Sequence, residues 1–473
     1  MDRLPVTRCV LVVLLTAAAA WAEDAASVRV EILVSDAEKL YRGKRPKQAV
    51  AKYDQASALA FTEGASGRAF ELSRTAAAIL QSVGEEAEAG QRLRRLAIAN
   101  GTHPDAGATH RAAIACLAKS ADADPQSYEE ALREHIDNWP DAKSTPAIEG
   151  RLISWLASQR RWAELLPMLE SVAVDDPRFP DAAGLYADAV IGVRRQGDAA
   201  ELLRRATGQL QPSITGDDNR WPDEWTPHQR AAALGLARIH LAYGDAGPQY
   251  PYRLLAAAVS GRPASDAQWR SVAVPLLVEA AVAAGHPEQA AAAAADLPAD
   301  NSPALRRLVG FLEARLRESS ADESAAKLLL TATRDASRDD APGWLRRGRA
   351  AALAASGEHE AAQELLASLD EESRAGPDYD RLSALALAGK TDADSRRRAV
   401  RLWRRVESRQ QPGSQGWHEA RLARIELLAQ LGRRDEARKL LSLTAALYPP
   451  PKLAAQAELR TRLQRELGQG AKK

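Results

Sequence analysis

The sequence predicts an all-α protein, a solenoid of about eleven helical hairpins, and three observations support that expectation. Apolar residues return at three- and four-residue intervals along successive segments. Breaking residues, mostly glycine, cut these segments into pairs, with inter-helix turns near Gly43, Gly84, Ala121, Arg160, Gly197, Gly244, Gly285, Ser320, Gly357, Asp392 and Gly432. From Gly43 to Gly432 ten intervals span 389 residues, about 39 each, so one continuous array is expected in place of two or three globular domains.

The clearest hairpin runs from Gly416 to Leu441 and closes at Tyr448-Pro449. Leu422, Ile425, Leu428 and Ala429 keep helical spacing on its first arm; Ala437, Leu440, Leu441 and Thr444 keep it on the second. Gly432 permits the left-handed turn that ends one arm, and Pro449 stops the other because proline cannot continue a helix. A small residue five after the turn glycine, a bulky one four later and a closing proline, here Ala437, Leu441 and Pro449, resemble the tetratricopeptide repeat family. Gly357 with Ala362 and Leu366, Gly285 with Ala290, and Gly84 with Ala89 and Leu93 repeat the arrangement. The family's leading Trp and Leu-Gly pair are missing from most copies, so the repeats are degenerate, although they cover nearly all of the chain after residue 22. The resemblance implies a right-handed superhelix whose concave surface, lined by residues of the first helices, accepts an extended peptide or another protein.

In chain order, Leu33, Ala37 and Leu40 lead to the turn Arg42-Gly43-Lys44-Arg45-Pro46, and Ala49, Tyr53 and Ala56 follow on the second arm. Segments 67–99, 104–138, 146–174 and 177–210 repeat the scheme, Pro180 standing in a first turn where its missing N–H costs nothing. Gln211 to His228 reads as an insertion that stretches the period once. Together with the next turn it places Trp221, Trp225, Tyr243, Tyr250 and Tyr252 in loops. Long aromatic loops held by a rigid frame suit binding, so Trp221, Trp225, Tyr250 and Tyr252 are candidate contacts for peptide or sugar. The competing reading is packing at a seam where the register slips. The period resumes over 267–297, 303–336, 342–369 and 379–409, completing an array over 23–451. Residues 452–467 form a further helix with a polar face, suited to closing the end of the array, and 468–473 a disordered tail.

Residues 1–22 read as a secretory signal: Arg3 and Arg8 precede the apolar run Cys9 to Trp21, which ends in Ala20-Trp21-Ala22. Cleavage after Ala22 leaves 62 basic and 62 acidic side chains in a periplasmic or secreted protein. That neutrality argues against nucleic-acid binding, which needs uncompensated cations. From Asp340 onward there are 25 basic against 18 acidic residues, a separation read as solvated charge or as a dipole that steers a partner. Past the signal no segment is apolar enough to span a membrane, and the lone Cys116 sits on an apolar helix face as a buried thiol.

The most basic helix, Ser395 to Gln410, presents Arg401, Arg404 and Arg405 as candidate contacts for an acidic partner; the alternative is a solvated face partly paired with Glu371, Glu372, Asp392 and Asp394. Ala384 to Thr391 fits the loose phosphate-loop pattern but is the tail of a helix, without the preceding strand and flexible glycines. The eight histidines are scattered, and His286, His359 and His418 fall at turns or helix starts where exposed roles are expected. No catalytic, cofactor or metal site is assigned. The expected function is a non-catalytic extracytoplasmic scaffold for protein or peptide partners. Two alternatives stand beside it: a helical protein that binds glycan or acts on the cell wall through loops 211–252, and a structural subunit of an envelope secretion or assembly complex.

Overall fold

The computed structural model describes residues 27–120, 124–194, 199–215, 220–244, 247–260, 267–298, 302–318, 322–338, 340–375 and 377–468. The signal expected in 1–22, the turns expected at Ala121, Gly197 and Ser320, and residues 469–473 of the tail lie outside them. Among the described residues all regular structure is helical. The chain divides into two compact units, Met1–Met168 and Leu169–Lys473.

The first unit pairs helix 27–42 with Pro46–Thr62, Ser66–Ser82 with Glu86–Ala99, Ala106–Lys119 with Pro125–Asn138, and Thr145–Ser158 with Trp162–Glu170, whose last residues cross the division. The second unit pairs Phe179–Val193 with Ala199–Thr215, Pro227–Tyr243 with Gln249–Ser260, Ala267–Ala283 with Pro287–Ala294, and Pro303–Glu318 with Glu323–Ala332. Gly343–Ala355 with His359–Ala367, Pro377–Ala388 with Ala393–Ser408, and Gln415–Gln430 with Arg434–Leu447 complete eleven hairpins among the described residues, and Ala454–Gly468 follows. A 3-10 turn at Arg334–Ser337 and a short helix at Glu371–Arg374 are additions that the periodicity does not reveal. No helix among the described residues is long and apolar enough to cross a membrane.

Six of the hairpin turns, at Lys44, Gly84, Arg160, Gly285, Gly357 and Gly432, share one geometry. A residue with positive φ ends the first helix, and the next N–H donates to the carbonyl five residues back: Glu85 to Leu80, His286 to Ala281, Glu358 to Leu353 and Arg433 to Leu428. Glycine holds the left-handed position at Gly84, Gly285, Gly357 and Gly432. Near Gly43 that position falls on Lys44, and at Arg160 the arginine itself adopts it, with φ of 58° and 55°. The small and bulky family positions are buried: Ala89, Ala290, Ala362 and Ala437 at 0% exposure, with Leu93, Leu366 and Leu441 beside them. An alanine at the crossing point lets two helix backbones approach, and leucines fill the space between pairs. Cys116 is buried as expected, and desolvation pushes its thiol up to about 11.

Three expectations are corrected. Gln211–Thr215 is no insertion loop but the end of the Ala199–Thr215 helix, which continues through Pro212. Tyr243 closes a helix, and Tyr250 and Tyr252 belong to the helix Gln249–Ser260, where Pro251 sits in a first turn whose N–H groups lack intrahelical acceptors anyway. His418 is 2% exposed, because it lies on the inward face of Gln415–Gln430 against Trp417.

Candidate functional site

In the second unit the first helices of successive hairpins touch one another, and five inner faces converge on one cavity of about 480 Å³. Pro303–Glu318 contributes Gly310, Glu313 and Arg317; Gly343–Ala355 contributes Trp344, Arg347, Ala351 and Ala354; Pro377–Ala388 contributes Asp378, Arg381 and Leu385. Glu419, Ala423 and Glu426 of Gln415–Gln430, with Gln456 and Leu459 of the last helix, complete the wall. Steps of three, four and seven put each set on one helix face. Trp403, at 0% exposure, reaches the floor from the second helix of its hairpin.

Ion pairs bridge the walls. Arg381 holds Glu419 at 2.6 Å between neighbouring first helices, both side chains largely buried. Arg317 meets Asp378 at 3.3 Å across two hairpins. Packed helices stand roughly 8–10 Å apart, so contact between first helices two hairpins apart requires the array to curve tightly here. Gly348 assists: a Cβ there would lie 2.7 Å from Val309 Cγ1, so only glycine admits the neighbouring helix at this distance. Glu313 lies beside it, and burial pushes its carboxyl above the ordinary range against the opposing pull of Arg317, Arg381 and Arg347. Glu426 is likewise pushed up by burial, with Arg462 as its partner.

The first unit holds a separate polar cluster. His110 and His135 are both fully buried, with ring centroids 5.5 Å apart, and both pack on Trp139. Glu134 receives Arg94 at 2.6 Å and faces His110 Nε2 at 3.4 Å, while His135 Nε2 and the Ser144 hydroxyl are 3.0 Å apart. Among the described residues no group of three or more His, Cys, Asp or Glu could hold a metal ion.

The seven candidate contacts chosen from the sequence do not line the cavity. Trp225 is 6% exposed and belongs to the core. Trp221 is half-buried with the Arg253 guanidinium 5.8 Å above its ring. The Tyr250 hydroxyl donates to Gln211 and its ring meets His240 edge-on, while Tyr252 packs against His286 at 4.6 Å. Arg401 and Arg404 are exposed, and Arg405 together with Arg409 pairs with the buried carboxylate of Asp380 at 3.1 and 2.9 Å. Residues such as Glu313, Arg347 and Arg381, which build the cavity, escaped the sequence reading; the signal for them was charge at helical spacing on first arms.

Neither a family model nor any curated protein matches the chain. Among solved structures it is similar to a Naa15/Naa10 complex bound to HypK-THB, with TM-score 0.34 and 13% identity over 94% of this chain and 67% of that one. Yeast Tom70 gives a TM-score of 0.26 and 14% identity over 94% of this chain and 97% of that one. The Cut9–Hcn1 hetero-tetramer of the APC/C gives 0.32 and 11% over 92% and 96%.

Proposed function

We propose that this chain is a non-catalytic interaction scaffold, working outside the cytoplasm, that holds a segment of a partner protein in the groove of its second unit. The observation that favours this reading is the convergence of five helix faces on one cavity with apolar patches between fixed ion pairs. Apolar surface supplies affinity, and paired charges give register without the cost of leaving an ion unmatched. The apolar run with basic flank in residues 1–22 supports the extracytoplasmic placement. The buried Trp225 and the tyrosines engaged within helices weaken the case for a glycan platform at 211–252.

The test is comparative capture. Residues 23–473 and the same chain carrying Ala351→Trp, which fills the cavity, are used as bait against an envelope extract of the source cell, with circular dichroism confirming that the variant is folded. A partner retained stoichiometrically by the first bait and lost from the second supports the groove. Equal retention by both sinks it.

A further inference from the structure

We infer that the segment held in the groove presents an acidic side chain, Asp or Glu, to Arg347 and Arg306; this rests on the scaffold reading above. Three of the four carboxylates in the cavity wall are already taken: Asp378 by Arg317, Glu419 by Arg381, and Glu426 by Arg462, which reaches in from outside the lining. The fourth, Glu313, lies in the field of Arg317, Arg381 and Arg347 together. Two arginines of the wall remain without a carboxylate in contact among the described residues. Arg347 acts on Glu313 and on the exposed Asp370 only through space, and it donates one long hydrogen bond, 3.5 Å, to the carbonyl of Ser373. Arg306 is exposed at the rim. Against the single charge of Glu313, these two leave the cavity with one positive charge in surplus.

The fold brings the two cations to one level of the groove. Gly348 packs against Val309 and Glu313 of the neighbouring first helix, so Arg347 beside it stands level with the middle of Pro303–Glu318. At 1.5 Å per residue that places the Arg347 and Arg306 backbones roughly 6–9 Å apart along the axis, a gap that two long guanidinium side chains close. Gly310, one turn on from Arg306 and also in the wall, puts nothing between them: open space lies where its Cβ would stand. A carboxylate placed there accepts from both guanidinium groups, while Trp344, Ala351 and Leu382 offer apolar wall to the residues on either side of it in the segment. A basic side chain at the same place would meet a surplus of its own sign.

The experiment titrates three acetylated and amidated heptapeptides, Ala-Leu-Ala-X-Ala-Leu-Ala with X glutamate, glutamine or lysine, into the protein by calorimetry; the blocked ends leave the side chain of X as the sole source of charge. The glutamate peptide should bind about tenfold more tightly than the glutamine peptide, the yield of one charge-assisted hydrogen-bonded contact. Arg306→Gln, at an exposed position, should reduce that preference, and Arg306→Gln with Arg347→Gln should abolish it while the glutamine peptide keeps its affinity, circular dichroism confirming that both variants are folded. Equal affinities of the glutamate and glutamine peptides, tightest binding of the lysine peptide, or a preference that survives the double replacement would overturn the inference, yet leave the groove a peptide site. If none of the three binds, the double variant serves as bait in the capture experiment. A partner lost from it supports the inference, one that it keeps while Ala351→Trp loses it overturns the inference alone, and one kept by both overturns the scaffold reading as well.

Discussion

His110 and His135 show what burial does to a single side chain. Both are at 0% exposure, and their Nδ1 atoms have no acceptor or donor among the described residues. Burial pushes His135 down from 6.5 to about 4, helped by the neighbouring His110 and Arg111. Burial pushes His110 down too, with Glu134 opposing and Arg94 reinforcing. A histidine whose proton affinity is lowered by folding binds fewer protons in the native chain than in the unfolded one, so its stability is complete above about pH 6.5 and is lost as pH falls toward 4. For His135 the loss is on the order of 1–3 kcal/mol across that window. Glu134, held low by Arg94, adds a loss of the same sign below the ordinary carboxylate range. Urea unfolding at pH 7.5 and 5.0 should therefore show the midpoint dropping, and His135→Gln should flatten that drop. An unchanged slope in the variant would remove His135 as its source.

At the scale of helices and turns, the decisive chemistry is local and therefore readable. The closing bonds at Gly357 and Gly432 follow from a residue that accepts positive φ, and glycine announces that residue in the sequence. Arg160 was placed by the period alone; it adopts the same left-handed conformation, and Arg161 N–H still donates to Leu156. A side chain there costs roughly 1–2 kcal/mol, partly offset because glycine gains more freedom on unfolding. Arg160→Gly should thus stabilise the chain by about 0.5–1 kcal/mol in urea titration, and a destabilisation would mean the arginine has a role beyond the turn. Elements escaped the sequence reading where a single residue carries two messages. Pro251 with its tyrosines reads as loop, yet proline in a first turn is compatible with a helix. The cavity was illegible for a different reason. Glu313 and Arg381 look like any charge on an amphipathic arm, and the curvature that turns those arms toward one another is set by packing, including the close approach at Gly348.

Within each unit the described helices follow one another as hairpins, and most of their contacts are with the next helix in sequence or the one after it. In such an array stability is a sum of repeat terms and neighbour terms, so damage should stay near its origin. Leu441 tests this. It is 4% exposed in a cluster with Leu422, Ile425, Leu428, Ala437, Leu463 and Leu467, contributed by the last hairpin and the Ala454–Gly468 helix that covers it. Truncating a leucine in such a cluster costs roughly 2–5 kcal/mol through lost transfer energy and the cavity left behind. In a globular protein with one core that loss would raise amide exchange everywhere the chain opens cooperatively. Here Leu441→Ala should accelerate exchange in Gln415–Gln430, Arg434–Leu447 and Ala454–Gly468, and leave Ser66–Ser82 and Glu86–Ala99 at their original rates. If the first unit's helices accelerate in step with the last hairpin, the chain opens as one cooperative body, and the array description of its energetics fails even though its architecture is built of repeats.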